Sequence, residues 1–314
     1  MMTRGHKEGK KQDDLQRLIT EKVNLASADF DCKSSLEIAR IINLEDAKVA
    51  GAVASALPQI ARVIDWITDA LAKGGRLIYV GTGTSGRIAA LDAAECPPTF
   101  NTNPKMAQFV MAGGSRALAE ATEASEDSRA LGRREMAKRR PRHNDVVVGV
   151  AASGRTPFTI AAIEYARLQG AKTVAVTCNR NSALERVAHI AIVAEVGPEV
   201  VAGSTRMKAG TAQKMILNTL TTGAMTRLGY VYGNLMVNLH LKNEKLAERG
   251  IGILEKAAEL SREEARRLLK AAHHSVPVAL VMAKAGVRRA DAAKALKRSR
   301  GHVRNAIRLA EQFR

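Results

Sequence analysis

Arg76-Leu77-Ile78-Tyr79-Val80-Gly81-Thr82-Gly83-Thr84-Ser85-Gly86-Arg87 carries an apolar run straight into a loop of glycines and hydroxyls, and a helical pattern follows. The arrangement recurs about seventy residues later, where Asp145-Val146-Val147-Val148-Gly149-Val150 leads into Ala151-Ala152-Ser153-Gly154-Arg155-Thr156-Pro157. Strand, small-residue loop and helix bring backbone N–H groups and hydroxyls to an anion at a helix N-terminus. One such loop is a weak signal. Two in one chain point to a site that holds a phosphorylated small molecule.

Outward from these loops the chain reads as α/β. Five β-rich runs, 77–80, 107–111, 146–150, 173–177 and 190–196, are mostly separated by helical patterns, as in a parallel sheet with crossover helices. The Val/Ile content of the third and fourth runs fits strands buried on both faces. Before the sheet, 15–47 reads as an arm of short helices, and 47–73 as a long helix kinked or divided near Pro58. After it, a helix is expected over 205–228 with Ser204 or Thr205 as N-cap. From about Ile253 the composition turns to short basic helices broken by Pro277, Gly286 and Gly301. The expected division is an arm over 1–46, a sugar-phosphate domain over 47–245 and a helical bundle over 246–314.

The first loop has the spacing G-x-G-x-x-G at Gly81, Gly83 and Gly86. The acid that a dinucleotide site needs about twenty residues later is replaced by Pro97-Pro98 and the asparagines around 101–103. Thr84 and Ser85 favour instead a monophosphate gripped by side chains as well as backbone, with a purely structural turn as the plainer alternative. In the second loop Thr156 can cap the next helix, Pro157 suits its first position and Ser153 faces the crevice beyond the strand ends. Neither loop carries a lysine in Walker-A spacing.

Among acids, Glu95 precedes Cys96-Pro97-Pro98, which reads as the end of the helix opened at Ser85-Gly86. A carboxyl group at a helix C-terminus sits in negative potential, which suits a general acid, though an ordinary exposed helix-end residue reads the same way. Glu120, Glu123 and Glu126 fall at three-residue spacing on one helical stripe. Such stripes are usually solvated, and spacing does not choose a functional member. His189, His240 and His273-His274 show no metal-ligand spacing, so no metal is expected.

At 314 residues, 46% hydrophobic and 3% aromatic, the chain is long enough for a substantial aliphatic core. No run approaches the eighteen or so apolar residues of a membrane span, and the polar segment 1–14 lacks a secretory signal's apolar stretch. Three scattered cysteines, Cys32, Cys96 and Cys178, fit a reducing cytoplasm. The net charge of +18 concentrates in 129–142, with seven bases and one acid, and in 262–314, with fourteen bases and four acids. A basic surface can attract nucleic acid or anionic membrane; with little aromatic interleaving, the plain reading is a solvated helix face, with no specific nucleic-acid partner and no membrane.

Taken together, Gly81–Arg87, Glu95-Cys96-Pro97-Pro98-Thr99, Glu126-Asp127-Ser128, Ala151–Pro157 and Gly203-Ser204-Thr205-Arg206-Met207-Lys208-Ala209-Gly210-Thr211-Ala212-Gln213-Lys214 resemble the N-acetylmuramic acid 6-phosphate etherases, relatives of the glucokinase regulatory protein. Ile41-Ile42-Asn43-Leu44-Glu45-Asp46, Asn234-Leu235-Met236-Val237 and Asn243-Glu244-Lys245-Leu246 extend the match from about Leu15 to the C-terminus, as does Thr20-Glu21-Lys22-Val23-Asn24 in the arm. The resemblance implies a sugar isomerase (SIS) fold with a five-stranded parallel sheet, a C-terminal bundle similar to ubiquitin-associated domains, a homodimer, and a phosphorylated amino sugar as substrate without metal or cofactor. It implies cleavage of a lactyl ether, with Glu95 as acid and Glu126 as base. Phosphate would be held by Thr84, Ser85, Ser153 and Thr156 with adjacent N–H groups at Gly86 and Gly154, and Ser204, Arg206 and Lys208 would lie nearby. Asp29-Phe30-Asp31 and the basic segments depart from the family pattern. The rival readings are a non-catalytic sugar-phosphate sensor, a transcription regulator (for which the arm is too short) and a ketose–aldose isomerase, which lacks the Glu-Cys-Pro-Pro and Gly-Ser-Thr-Arg-Met-Lys segments.

Overall fold

The computed structural model describes residues 18–120, 125–239 and 244–313. Glu123, His240, Asn243 and the segment 1–17 lie outside them. Five parallel strands, β1 (Leu77–Gly81), β2 (Ala107–Met111), β3 (Val146–Val150), β4 (Lys172–Thr177) and β5 (Ile190–Val193), form one sheet in the order β2-β1-β3-β4-β5. The parallel sheet with crossover helices expected from the sequence is the one observed. β5 stops at Val193, short of the expected Val196.

Three helices precede the sheet: α1 (Ser35–Asp46), α2 (Val49–Ala54) and α3 (Leu57–Ala72). The long pattern over 47–73 is divided at Ser55-Ala56, with Pro58 in the first turn of α3. Within and after the sheet come α4 (Gly83–Phe100), α5 (Arg129–Arg139), α6 (Pro157–Leu168), α7 (Ala183–Val187) and α8 (Lys208–Arg227). Helices α9 (Glu244–Ala258), α10 (Arg262–Ala271), α11 (Val276–Ala285), α12 (Arg289–Arg298) and α13 (Val303–Glu311) complete the chain. Pro277 opens α11 instead of breaking a helix, and Gly286 ends it in the left-handed conformation.

The chain forms two compact units. One comprises the described residues up to Ala93 together with Lys105–Leu220, and the other Ala94–Pro104 with the described residues from Thr221 onward. In the first, β1 and β3 are buried along their whole length, as their unbroken apolar sequences require. Met136, Phe158 and Ile163 pack with Val80 and Val147 in its core. Gly132 lets α5 lie directly on α6, since a Cβ there would stand 2.1 Å from the Phe158 carbonyl oxygen. In the second unit Leu254, Leu269, Leu280, Val281 and Ala306 form a core of their own.

The arm is fastened to the first unit by polar groups. Asn179 Oδ1 accepts from the Ile19 N–H at 2.8 Å, and its Nδ2 donates to Thr20 Oγ1 and to the Ala152 carbonyl. Asn24 Nδ2 donates to Glu45 Oε2 at 2.9 Å and to the Pro198 carbonyl at 3.0 Å, and Ser27 Oγ to the Val200 carbonyl. Glu45 also receives Lys48 and, at 2.5 Å, the ammonium of Lys208, which is 1% exposed. Burial alone would raise the Glu45 carboxyl. The hydrogen bonds from Lys208, Lys48 and Asn24 overcome it and hold the group down at about 2. Glu199, fully buried, takes the N–H groups of Lys208 and Ala209 at 3.0 and 2.9 Å, and its burial pushes its own carboxyl upward despite those bonds.

Two outcomes follow for stability. Gly132→Ala should lower it by about 1–3 kcal/mol or more, because a helix crossing must open. Gly51→Ala in α2, where nothing lies within 4 Å of the added carbon, should raise it by about 0.5–1 kcal/mol; denaturant titration that ranks them the other way contradicts this packing. Glu45 lies below its ordinary 4.5 in the fold, so its contribution is complete above about pH 4.5 and drains away toward pH 2. Glu45→Gln should cost about 3–5 kcal/mol at pH 7 by leaving Lys208 buried and unpaired. The variant should also lose less stability than the wild type between pH 4.5 and 2, and equal acid losses would refute the assignment.

Candidate functional site

The strand order sets β1 between β2 and β3. The chain leaves β1 for β2 on one side and returns to β3 on the other, and that reversal is where open α/β sheets bind ligands beyond the carboxyl ends of their strands. Gly81 pairs with Val150, so the two glycine-and-hydroxyl loops leave neighbouring strands at the same level. Each feeds a helix N-terminus, α4 after the first and α6 after the second. The two loops therefore set two helix starts, each a positive dipole end, at the same carboxyl edge of the sheet. Contrary to expectation, the Gly86 and Gly154 N–H groups donate to the Thr82 and Ala151 carbonyls at 2.9 and 3.0 Å, and at the start of α6 Pro157 has no N–H while that of Phe158 goes to the Glu126 carbonyl at 3.0 Å.

In the first loop Gly83 has φ +49°, a conformation that favours glycine, and a Cβ there would lie 3.2 Å from Glu126 Oε1. The Glu126 carboxylate thus reaches the loop. Thr84 and Ser85, both half-buried, occupy the first turn of α4. Gly86 is buried, and a Cβ there would stand 3.0 Å from the Gly81 carbonyl oxygen and from Met111 Cγ, so it allows α4 to sit on the strand ends. Arg87 turns away from the loop, donating to the carbonyls of Leu118 and Glu120.

In the second loop Ser153 Oγ accepts from the Arg155 N–H at 3.2 Å, and Gly154 has φ +66° with Ser182 closing the space where a side chain would stand. Thr156 occupies the N-cap position of α6, yet its side chain makes no capping hydrogen bond. Capping therefore does not account for the hydroxyl. Pro157 is the first helical residue, as expected.

The third segment differs from expectation. α8 begins at Lys208, not Thr205, and Ser204 and Thr205 do not cap it. The buried carboxylate of Glu199 takes the Lys208 and Ala209 N–H groups instead. Ser204 is half-buried in the turn before the helix and Arg206 is exposed. Lys208 is buried against Glu45, so its charge is already matched within the fold. The first turn of α8 lies against the first loop, since a Cβ on Gly210 would be 3.5 Å from Thr84 Cγ2.

The surroundings of the two acids also need correction. α4 starts at Gly83 and runs through Pro97 and Pro98 to Phe100, so Glu95 stands exposed within the helix and not at its end. The prolines remove two helical N–H donors, but the backbone still closes with Asn101 N–H on the Pro97 carbonyl at 2.9 Å before Asn101 turns left-handed at φ 55°. Glu95 thus stands more than a turn before the helix C-terminus, outside the last turn in which the dipole's negative end is felt. Glu95 belongs with Ala94–Pro104 to the second unit. Glu120 and Glu126 do not share a helical stripe. Glu120 follows the 3-10 turn Gly114–Leu118 and pairs on the surface with Arg116, whereas Glu126 lies in a turn before α5.

Sequence reasoning passed over Asn179, Glu199 and the inward role of Glu45, whose partners lie about 160, 10 and 160 positions away. Cys178 lies beside this network, and burial, with Glu199 adding to it, pushes its thiol up to about 12.

Comparison with known proteins gives the family. The glucokinase regulatory protein N-terminal SIS domain matches residues 59–167, and the SIS domain matches 127–223. The N-acetylmuramic acid 6-phosphate etherases of Vibrio vulnificus and Klebsiella aerogenes are 48% and 46% identical over 294 residues, 94% of this chain and 98% of each relative. That of Clostridium beijerinckii is 46% identical over 93% of this chain and 96% of its own. A phosphoheptose isomerase from Francisella tularensis aligns at 17% identity with a TM-score of 0.47, over 62% of this chain and 100% of that one, a likeness too loose to bear on activity. With near-half identity to the etherases over almost its whole length, and with the paired loops at the switch point of a five-stranded parallel sheet, the chain belongs to the N-acetylmuramic acid 6-phosphate etherase family.

Proposed function

We propose that this enzyme cleaves the D-lactyl ether of N-acetylmuramic acid 6-phosphate, giving N-acetylglucosamine 6-phosphate and D-lactate. The observation that carries the reading is the pair of hydroxyl loops set side by side by the Gly81–Val150 pairing, with the Glu126 carboxylate reaching the first of them. The phosphate is held by Thr84, Ser85, Ser153 and Thr156 together with the N–H groups that begin α4. Anchored there, the open-chain sugar presents its reacting carbons in a fixed pose. Glu126 takes the proton from C2, which is acidic because it lies beside the C1 aldehyde. The electron pair left on C2 forms a C2=C3 double bond as the C3–oxygen bond breaks, and Glu95 protonates the departing ether oxygen to release lactate. Water then adds, its oxygen to C3 and its proton to C2. In this reading Lys208 positions the site by fixing the start of α8, and Arg206 remains as an exposed cation for the sugar or its lactyl carboxylate.

The relatives' etherase names favour catalysis over the sensor reading. Among the described residues no helix is long and apolar enough to cross a membrane, and all three cysteines are free thiols, which suits a reducing cytoplasm. We read the working form as a homodimer. Val23, Leu25, Leu36, Leu44, Leu57 and Leu91, like Leu168 and Val201, are apolar side chains of the first unit that are each more than half exposed, of the kind a second copy would cover.

Purified protein given N-acetylmuramic acid 6-phosphate should release D-lactate, and tight sugar-phosphate binding without release would favour the sensor. Glu95→Gln should lose at least about a hundredfold in kcat while retaining binding. Glu126→Gln should in addition abolish exchange of the C2 proton with deuterated water, so undiminished exchange would remove Glu126 from the base role. Light scattering should give about twice the chain mass of 33.7 kDa, and a mass of one chain would end the dimer reading.

A further inference from the structure

The second unit distributes its charge unevenly. Its ion pairs gather on α9 and α10, where Arg262 meets Glu248 and Glu255, Arg266 meets Glu248, and Arg267 meets Glu263. Residues 288–314 carry nine bases against only Asp291 and Glu311. On α12, α13 and the turn between them, Lys294, Lys297, Arg298, Arg300, Arg304 and Arg308 are all exposed, and none of them has an ion-pair partner among the described residues. Lys294 with Arg298, and Arg304 with Arg308, stand four apart on their helices, so each pair forms a short cationic row with about 5–6 Å between side-chain origins. Such a surface repels itself and is relieved by a polyanion, which exchanges its condensed counterions for the fixed cations.

Two further observations select the kind of polyanion. Every strongly exposed large apolar side chain among the described residues belongs to the first unit, so α12 and α13 have no apolar wedge to insert into a bilayer. The aromatic rings at this face are already covered by cations: Lys294 and Arg298 lie 5.4 and 5.8 Å from the centre of Phe313, and Arg304 lies 4.9 Å from that of Tyr232. Both rings are also half-buried against the unit's own core, which leaves little of either for unpaired bases to stack on. We infer that α12 and α13 form a surface for the phosphate backbone of double-helical nucleic acid, bound without regard to sequence. The surface is independent of the etherase chemistry.

The test is fluorescence anisotropy of a labelled random-sequence DNA duplex titrated with the full chain between 50 and 200 mM salt. Wild type should bind at 50 mM and weaken at least about a thousandfold by 200 mM if six phosphates are engaged. Lys297→Gln/Arg300→Gln/Arg308→Gln, whose lactate release should equal that of wild type, should bind at least about tenfold more weakly at 100 mM. It should also lower the log–log salt slope by about 2.7, at 0.9 for each charge removed. Absence of wild-type binding at 50 mM overturns the proposal, as does an unchanged slope in the triple variant. Binding to phosphatidylserine vesicles with none to the duplex overturns it in favour of a membrane. Weakening by Arg134→Gln/Lys138→Gln on α5 but not by the triple variant overturns it by moving the surface to the other unit.

Discussion

Parallel pairing of β1 with β3, ending at Gly81 and Val150, is the constraint on which the site depends. The two strands are separated in sequence by α4, β2 and α5, and only the reversal of winding direction at β1 makes them neighbours. The pairing sets two helix N-termini and the hydroxyl-bearing loops before them at one level along the crevice beyond the strand ends. Either loop alone would offer an anion a few N–H groups in water. In the proposed function both hold it, and an anchored phosphate would fix where the rest of the sugar must lie.

A second layer of interactions holds that crevice in shape. Glu45, Lys208 and Glu199 make a buried, charged chain from α1 to the first turn of α8, and that turn lies against Thr84. Asn179 ties the arm to the carbonyl of Ala152 inside the second loop. Leaving one such group unpaired costs several kcal/mol, so the arm and α8 are fixed relative to the loops. Close contacts at Gly86 and Gly154 serve the same end from beneath. Their glycines are spacing elements for the elements that carry the hydroxyls.

Much of this was legible in the sequence because it is local. The strand runs of 77–80 and 146–150 are buried on both faces and so are apolar throughout, and the loops after them are written in glycine, serine and threonine. What stayed illegible depends on distant partners or on local rules being overridden. Pro97-Pro98 reads as a helix end, but a proline near the last turn forfeits only its own hydrogen bond, and α4 closes around both. The three-residue spacing of Glu120, Glu123 and Glu126 mimics a helical stripe, yet Glu120 follows a 3-10 turn and Glu126 lies in a turn before α5. Ser204 and Thr205 are good caps by type, yet Glu199, nine residues before Lys208, reaches both N–H groups with one carboxylate. Lys208 read as a cation beside the bound phosphate because nothing in its neighbourhood announces Glu45, 163 positions earlier.

The central claim is that both loops grip one phosphate. Calorimetric titration with N-acetylglucosamine 6-phosphate and with unphosphorylated N-acetylglucosamine, on wild type, Thr84→Ala and Ser153→Ala, addresses it most directly. The account predicts a strong preference of the wild type for the phosphorylated sugar, and a loss of about tenfold in that preference from either substitution, as expected for a hydrogen bond to a charged group. If either variant keeps the full wild-type preference, its loop does not touch the phosphate and the paired-loop account is wrong.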